Sequence, residues 1–199
     1  MAQRELIELN HQDWAKLMQQ DKFSMTTIYR LLLKEEIYVP WRFLMHNNHA
    51  RPLAKLTLWM VCHGRLPTMD RLHRFGMIQE TICKLCKEKN ESLTHLFFEC
   101  GMTKTVWDQV LHWLNLNHRI KGWNEELDWI ISQTGKKGWR ASILKLAFTE
   151  AVYGIWHHRN GTVFGHTVSN NLVNDIIDNI VYRGWYTNKL RKHIANLLL

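Results

Sequence analysis

"CKLCKEKNESLTHLFFEC" occupies residues 83–100 and holds three of the chain's four cysteines together with one histidine. Its spacing, C-x2-C-x8-H-x4-C, sets out Cys83, Cys86, His95 and Cys100. Zinc takes four soft or borderline ligands in a tetrahedron, and a C-x2-C turn brings two thiolates to one ion. His95 and Cys100 supply the other pair from the apolar run "HLFFEC", read as a short helical turn with a bend near Gly101. Three thiolates and a neutral imidazole around Zn2+ leave one net negative charge, which Lys84, Lys87 and Lys89 are placed to offset. All four positions are protein ligands, so none remains for a water. The expectation is one structural Zn2+ and no catalytic metal.

Other uses of the sulfur fit less well. A redox C-x-x-C sits at the start of a helix after a strand, and no strand pattern precedes Cys83. A disulfide scaffold belongs to exported proteins. Here the fourth cysteine, Cys62, is remote, and the opening "MAQRELIELNHQDWAKLMQQ" lacks the apolar segment of a secretory signal. No apolar run reaches the roughly 18–20 residues that cross a bilayer. These features predict an intracellular protein of the nucleus or cytoplasm, not secreted, with no membrane partner and with thiols free for metal.

Outward from the cysteines the pattern is helical. Before them, "FSMTTIYRLLLKEE" offers Ser24 as an N-cap and sets Ile28, Leu31 and Leu32 on one face. "ARPLAKLTLWMVCHGRLPT" places Pro52 near a helix start and Gly64 near its end, with Leu53, Leu56, Trp59, Met60 and His63 on one side. Thr68 then caps a short basic turn that ends at Gly76. After the cysteines, Val106, Trp107, Val110, Trp113 and Leu114 recur at helical spacing. Further helices are read in "NEELDWIISQ", in residues 138–164, and in one last amphipathic stretch from Ser169 to the end.

The predicted fold is therefore all-α, a helical bundle with a small irregular zinc-binding segment made of a CxxC turn and a short His/Cys helix. The organisation expected is an N-terminal helical extension over 1–22, a zinc-binding domain over 23–116 and a C-terminal helical region over 117–199. A length of 199 residues with 46% hydrophobic and 22% charged residues suits such a globular chain and excludes wholesale disorder.

The net charge is +8, from 26 Lys and Arg against 18 Asp and Glu, which is compatible with a polyanionic partner. Arg65, Arg71, Arg74, Lys84, Lys87 and Lys89 cluster around the cysteine segment, while residues 1–50 balance at six of each sign. Basic side chains at phosphates with an exposed ring for stacking would suit a single strand of RNA or DNA. The bland reading makes Trp41, Trp59 and Trp107 core residues and pairs Arg65 and Arg71 with Asp70 or Glu99. No converging acid, base and nucleophile can be identified, so no enzyme is expected. Asp175 and Asp178 read as a solvated stripe. His157 and His158 beside Arg159 read as a favourable helix end, and Cys62 as a core residue.

The stretch from "WRFLMHNNHARPLAKLTLWMVCHGRLPTMDRLHRFGM" through "CKLCKEKNESLTHLFFECGMTKTVW" resembles the zinc-binding domain that follows reverse transcriptase in plant LINE-type non-LTR retrotransposons. The shared pattern runs through Trp41, Pro52, Lys55, Trp59, Gly64–Leu66, Pro67, Thr68, Asp70–Leu72, Cys83, Cys86, Glu91, Ser92, His95, Cys100 and Trp107. The later "AVYGIWHHRNGTVF" is similar to the tail seen after that domain. The resemblance implies a zinc-binding module of retroelement origin that grips nucleic acid beside a reverse transcriptase. The alternative it leaves is a structural or interaction module docking to that polymerase, or a non-functional retroelement fragment. The polymerase, endonuclease and ribonuclease H motifs of such elements are not found in this sequence.

Overall fold

The computed structural model describes residues 39–135 and 137–198. The readings of helix at 1–22 and around Ser24 lie outside these residues. Residues 40–199 form one compact unit. Its helices among the described residues are α1 (Arg42–Met45), α2 (Pro52–Cys62), α3 (Met69–Arg74), α4 (Gly101–Trp113), α5 (Trp123–Thr134), α6 (Trp139–Phe164), α7 (Leu172–Trp185) and α8 (Arg191–Leu197). The nearest approach to a sheet among them is a single antiparallel bridge between Ile82 and Asn90. The all-α reading holds.

The long helix α6 is the axis. Ile143, Leu144, Leu146, Ala147, Phe148, Ala151, Val152 and Ile155 are all buried along it, and α2, α5 and α7 pack against it. Such burial around most of its circumference is expected of a central helix. Polar bonds pin α2 to its middle. Arg51, at the N-cap of α2, donates its backbone N–H to Glu150 Oε1 (3.0 Å) and its Nε to Glu150 Oε2 (2.9 Å). Asn48 Nδ2 donates to Thr149 Oγ1 at 2.7 Å. Phe97, Phe98, Trp107, Trp123 and Phe148 make the aromatic centre, with Phe98 stacked on Trp123 at 6.1 Å between centroids. The core runs without interruption from Leu44 to Ile194.

Three sequence expectations are corrected. Helix α2 turns its other side inward: Ala54, Thr57, Leu58 and Val61 are buried. Leu53 (60%), Leu56 (52%) and Trp59 (36%) face outward. The helix is apolar nearly all round, so periodicity alone could not choose the face. Of the three tryptophans, only Trp107 is fully buried. The closing stretch is two helices, α7 and α8, broken at residues 186–190. Gly184 permits the fold-back, because a Cβ there would lie 2.5 Å from Ile194 Cγ1. Cys62 packs against the core, and burial pushes its thiol up to about 12.

Candidate metal centre

The ligand loop runs from the end of α3 to the start of α4. Its first half closes as a narrow loop: Glu91 N donates to Thr81 O (2.7 Å) and Cys83 N to Lys89 O (2.8 Å). Within it, Lys87 N returns to Cys83 O at 2.9 Å. That tight turn puts Lys87 at φ 61, the left-handed region that costs a non-glycine residue about 1–2 kcal/mol. The turn aims Cys83 and Cys86 the same way. In the second half, His95–Glu99 is a distorted helical turn with Phe97 at φ −101, ψ 96 and Phe98 at φ 79, ψ −2. The bend thus falls at Phe97–Phe98 and not near Gly101, which already lies in α4. Both rings drop into the aromatic core and the chain reverses, so that His95 and Cys100 meet the CxxC turn.

The four donors converge as the spacing predicts. One ligand atom from each of Cys83, Cys86, His95 and Cys100 lies within 4.8 Å of every other. Cys86 Sγ is 3.4 Å from His95 Nε2, which makes Nε2 the donor facing the site. Ligand atoms on a tetrahedral zinc stand roughly 3.3–3.8 Å apart, so a small contraction would seat the ion. Cys83, His95 and Cys100 are buried and Cys86 half-buried.

The surroundings favour thiolates. Backbone N–H groups of Leu85 and Cys86 point at the Cys83 sulfur, and those of Met102 and Thr103, in the first turn of α4, at the Cys100 sulfur. A helix N-terminus stabilises negative charge in this way. The hydrogen bond from the Cys83 thiol favours the Cys100 thiolate and pulls Cys100 down to about 5. The same hydrogen bond pushes Cys83 up. A divalent cation would displace the remaining thiol protons.

Glu91, between the two ligand pairs, fixes the loop to its neighbours. Its carboxylate accepts Arg159 Nε (3.0 Å) and Nη2 (2.5 Å), and also the N–H of Met69 at the start of α3 (2.9 Å). Both partners are fully buried. His157 and His158, read as a helix end, lie inside α6, which runs on to Phe164, and Arg159 beside them is taken up by this ion pair. One signal could have shown it: Arg159 follows Val152 and Ile155 on the buried stripe of α6, and a cation there demands a carboxylate. Glu126 was missed as well. It is buried, accepting Trp107 Nε1 (2.7 Å), and lies 3.0 Å from His118 Nε2.

The basic residues divide. Lys84 pairs with Glu80 at 3.0 Å and Arg74 with Asp70 at 3.6 Å, so their charge is partly neutralised. Arg65 and Arg71 are not salt-bridged as the bland reading had them. Arg65 stands over the Trp59 ring at 5.7 Å. Arg71 stands over Phe75 and donates to Gly64 O. Lys87 and Lys89 are exposed. Asp175, Asp178, His157 and His158 line a cavity of about 450 Å3, whose Arg51 and Glu150 are engaged with each other. The one group of metal-ligating side chains among the described residues is the Cys3His set.

Fold and site together define a helical module around a closed Cys3His ligand set. Residues 23–107 match the family described as zinc-binding in reverse transcriptase, the family that the motif from Trp41 to Trp107 resembles. The chain is also similar to a protein of Arabidopsis thaliana named "Putative ribonuclease H protein", 22% identical over 191 residues. That alignment covers 92% of this chain and 29% of the relative's length. No solved structure matches.

Proposed function

We propose that the chain is a zinc-binding module of retrotransposon origin that binds single-stranded nucleic acid and has no catalytic activity of its own. The observation that carries the reading is the convergence of Cys83, Cys86, His95 and Cys100, four protein donors, the number that fills a structural zinc's coordination and leaves no position for a reacting water. The ion would be one structural Zn2+, held inside the cell where thiols stay reduced. The match to a zinc-binding family supports zinc as its identity.

Nucleic-acid binding is supported by Arg65 over the exposed Trp59 and Arg71 over the exposed Phe75. Lys87 and Lys89 add exposed charge on the ligand loop. Cations at phosphates and rings for stacking are the two elements of single-strand binding. A filter-binding titration of single-stranded RNA and DNA against salt tests it. Each phosphate neutralised lowers log K by roughly 0.7 per unit of log salt. The full set around the loop should give a slope on the order of −2 to −4. A slope of zero, or no binding at low salt, would refute it.

The outward face of α2 favours a second reading. Leu53, Leu56 and Trp59 form an exposed apolar strip, the kind of patch that protein partners cover. In that reading the module docks to a reverse transcriptase and the zinc only shapes it.

A further inference from the structure

Three stretches of the chain contain no acidic residue: 37–69, 129–149 and 179–199. The fold joins them at one place. The loop ahead of α2 is pinned along α6: Lys145 Nζ donates to His46 O at 3.1 Å, Asn48 Nδ2 to Thr149 Oγ1 at 2.7 Å, and Arg51 pairs with Glu150. His49, in the same loop, is exposed. The chain beyond α7 reaches the same helix at its start, where His193 of α8 stacks on Trp139 with centroids 3.9 Å apart and planes at 4°. Lys189 stands four residues before His193, and Lys145 less than two turns after Trp139.

These attachments bring Lys145 and Lys189 to His49, and the first turn of α2 adds Lys55. Desolvation first, then the charges of Lys145, Lys189 and Lys55, hold the His49 imidazole below its ordinary pKa. Influence between charges fades beyond about 8–10 Å at physiological salt, so the three ammonium groups stand around one ring.

No carboxylate is among the charges acting on His49. Among the described residues, no ion pair involves His49, Lys55, Lys145 or Lys189. Glu150, the acid nearest to Lys145 in the sequence, is engaged by Arg51. Lys145 uses one of its three ammonium donors on His46 O, which leaves two for a ligand. Like charges held together without a carboxylate repel, and a bound anion relieves the repulsion.

The kind of anion follows from what adjoins the cluster. Lys55 and Trp59 are four residues apart on α2 and so are neighbours on its surface. Trp59 is exposed and carries Arg65 over its ring at 5.7 Å. A free phosphate or an acidic peptide would use the charges and leave the ring idle. A nucleic-acid strand uses both, stacking a base and passing its phosphates to the cations beside it.

We infer that His49, Lys55, Lys145 and Lys189 form a phosphate-binding site for the backbone of a strand whose bases stack on Trp59. The inference rests on the nucleic-acid reading above and extends its contacts to the N-terminal end of α2. The cluster itself touches phosphates only, so its contribution is blind to the bases.

The test uses the full zinc-loaded chain. Fluorescence anisotropy over a salt series follows oligothymidylate of about 12 nucleotides and an abasic strand of the same length, within the span such sites cover. Nuclear magnetic resonance follows the His49 Cε1–H signal, assigned as the one missing from His49→Gln, on addition of each strand, of polyglutamate of matching charge, or of inorganic phosphate. Two further variants, checked for zinc content and helical circular dichroism, are Lys55→Gln/Lys189→Gln, which spares the half-buried Lys145, and Lys84→Gln/Lys87→Gln/Lys89→Gln. The first should lower the salt slope by about 1.4, two contacts at roughly 0.7 each, and equally on both strands. The His49 signal should move with either strand and stay in place with polyglutamate. A parental slope in the first variant, with loss in the loop variant, would overturn the phosphate site and leave the nucleic-acid reading standing. A parent that binds neither strand would overturn both. A signal moved as far by polyglutamate would assign the cluster to an acidic protein, and one moved as far by inorganic phosphate to the free ion; either result would overturn the inference.

Discussion

The ligand loop and the C-terminal helices are joined to the same helix α6 by different physics. The loop has little regular structure, and beside the contact of Phe98 with Phe148 (6.0 Å between centroids) its hold on α6 is a buried ion pair between Glu91 and Arg159. Helices α7 and α8 are held by close apolar contact. A Cβ on Gly154 of α6 would lie 2.7 Å from Ile176, and one on Gly184 of α7 would lie 2.5 Å from Ile194. The first attachment depends on a few groups that are costly to leave unpaired; the second is spread over many contacts and yields by degrees. A loop that must hold four donors in one geometry needs the first kind. Helices that only support a surface can use the second.

That contrast predicts an ordered series of effects. The largest belongs to the ligands. Cys86→Ser should abolish metal binding, an interaction worth about 10 kcal/mol or more in apparent free energy at structural zinc sites. Hydrogen exchange should then show amide protection lost over 81–100 and kept in α7 and α8. Equal loss in both regions would mean that they are one cooperative unit.

Next comes the ion pair. Arg159→Met leaves Glu91 buried and unpaired, and should cost about 3–5 kcal/mol in denaturant unfolding. Adding Glu91→Leu should recover most of that loss. If the double variant is no better than the single, the carboxylate's bond to Met69 N matters more than its charge.

Gly184→Ala should cost about 1–3 kcal/mol by overpacking against Ile194, read as a lowered Tm, with zinc content unchanged. Loss of zinc in that variant would show that the two attachments are coupled. The smallest effect is at Lys87, held at φ 61. Lys87→Gly relieves that conformation and should stabilise the metal-bound protein by up to about 1 kcal/mol. A loss there would mean that the lysine side chain contributes contacts that outweigh the backbone cost.

The parts of this structure that were legible in the sequence are the local ones. Cys83 with Cys86, and His95 with Cys100, are near neighbours in the chain, so spacing alone announces the donor set. Helices α4, α5 and α6 follow their apolar rhythm. The buried face of α2 was not legible, since Leu53 and Leu56 are as apolar as Leu58 and Val61 and only tertiary packing selects between them. The bend at Phe98 leaves no mark either, because a non-glycine residue at φ 79 has no compositional signature. The break between α7 and α8 hides inside a continuing apolar pattern. The Glu91–Arg159 pair spans 68 positions, beyond any local reading.

The account turns on one claim, that the four converged donors hold one structural zinc. Elemental analysis of freshly purified protein, kept reduced and free of added metal, tests it directly. The expected result is about one Zn2+ per chain, as for a single closed four-ligand site, falling to none in Cys86→Ser. Parent protein that is folded yet carries no zinc, or that keeps its metal when Cys86 is replaced, would contradict it.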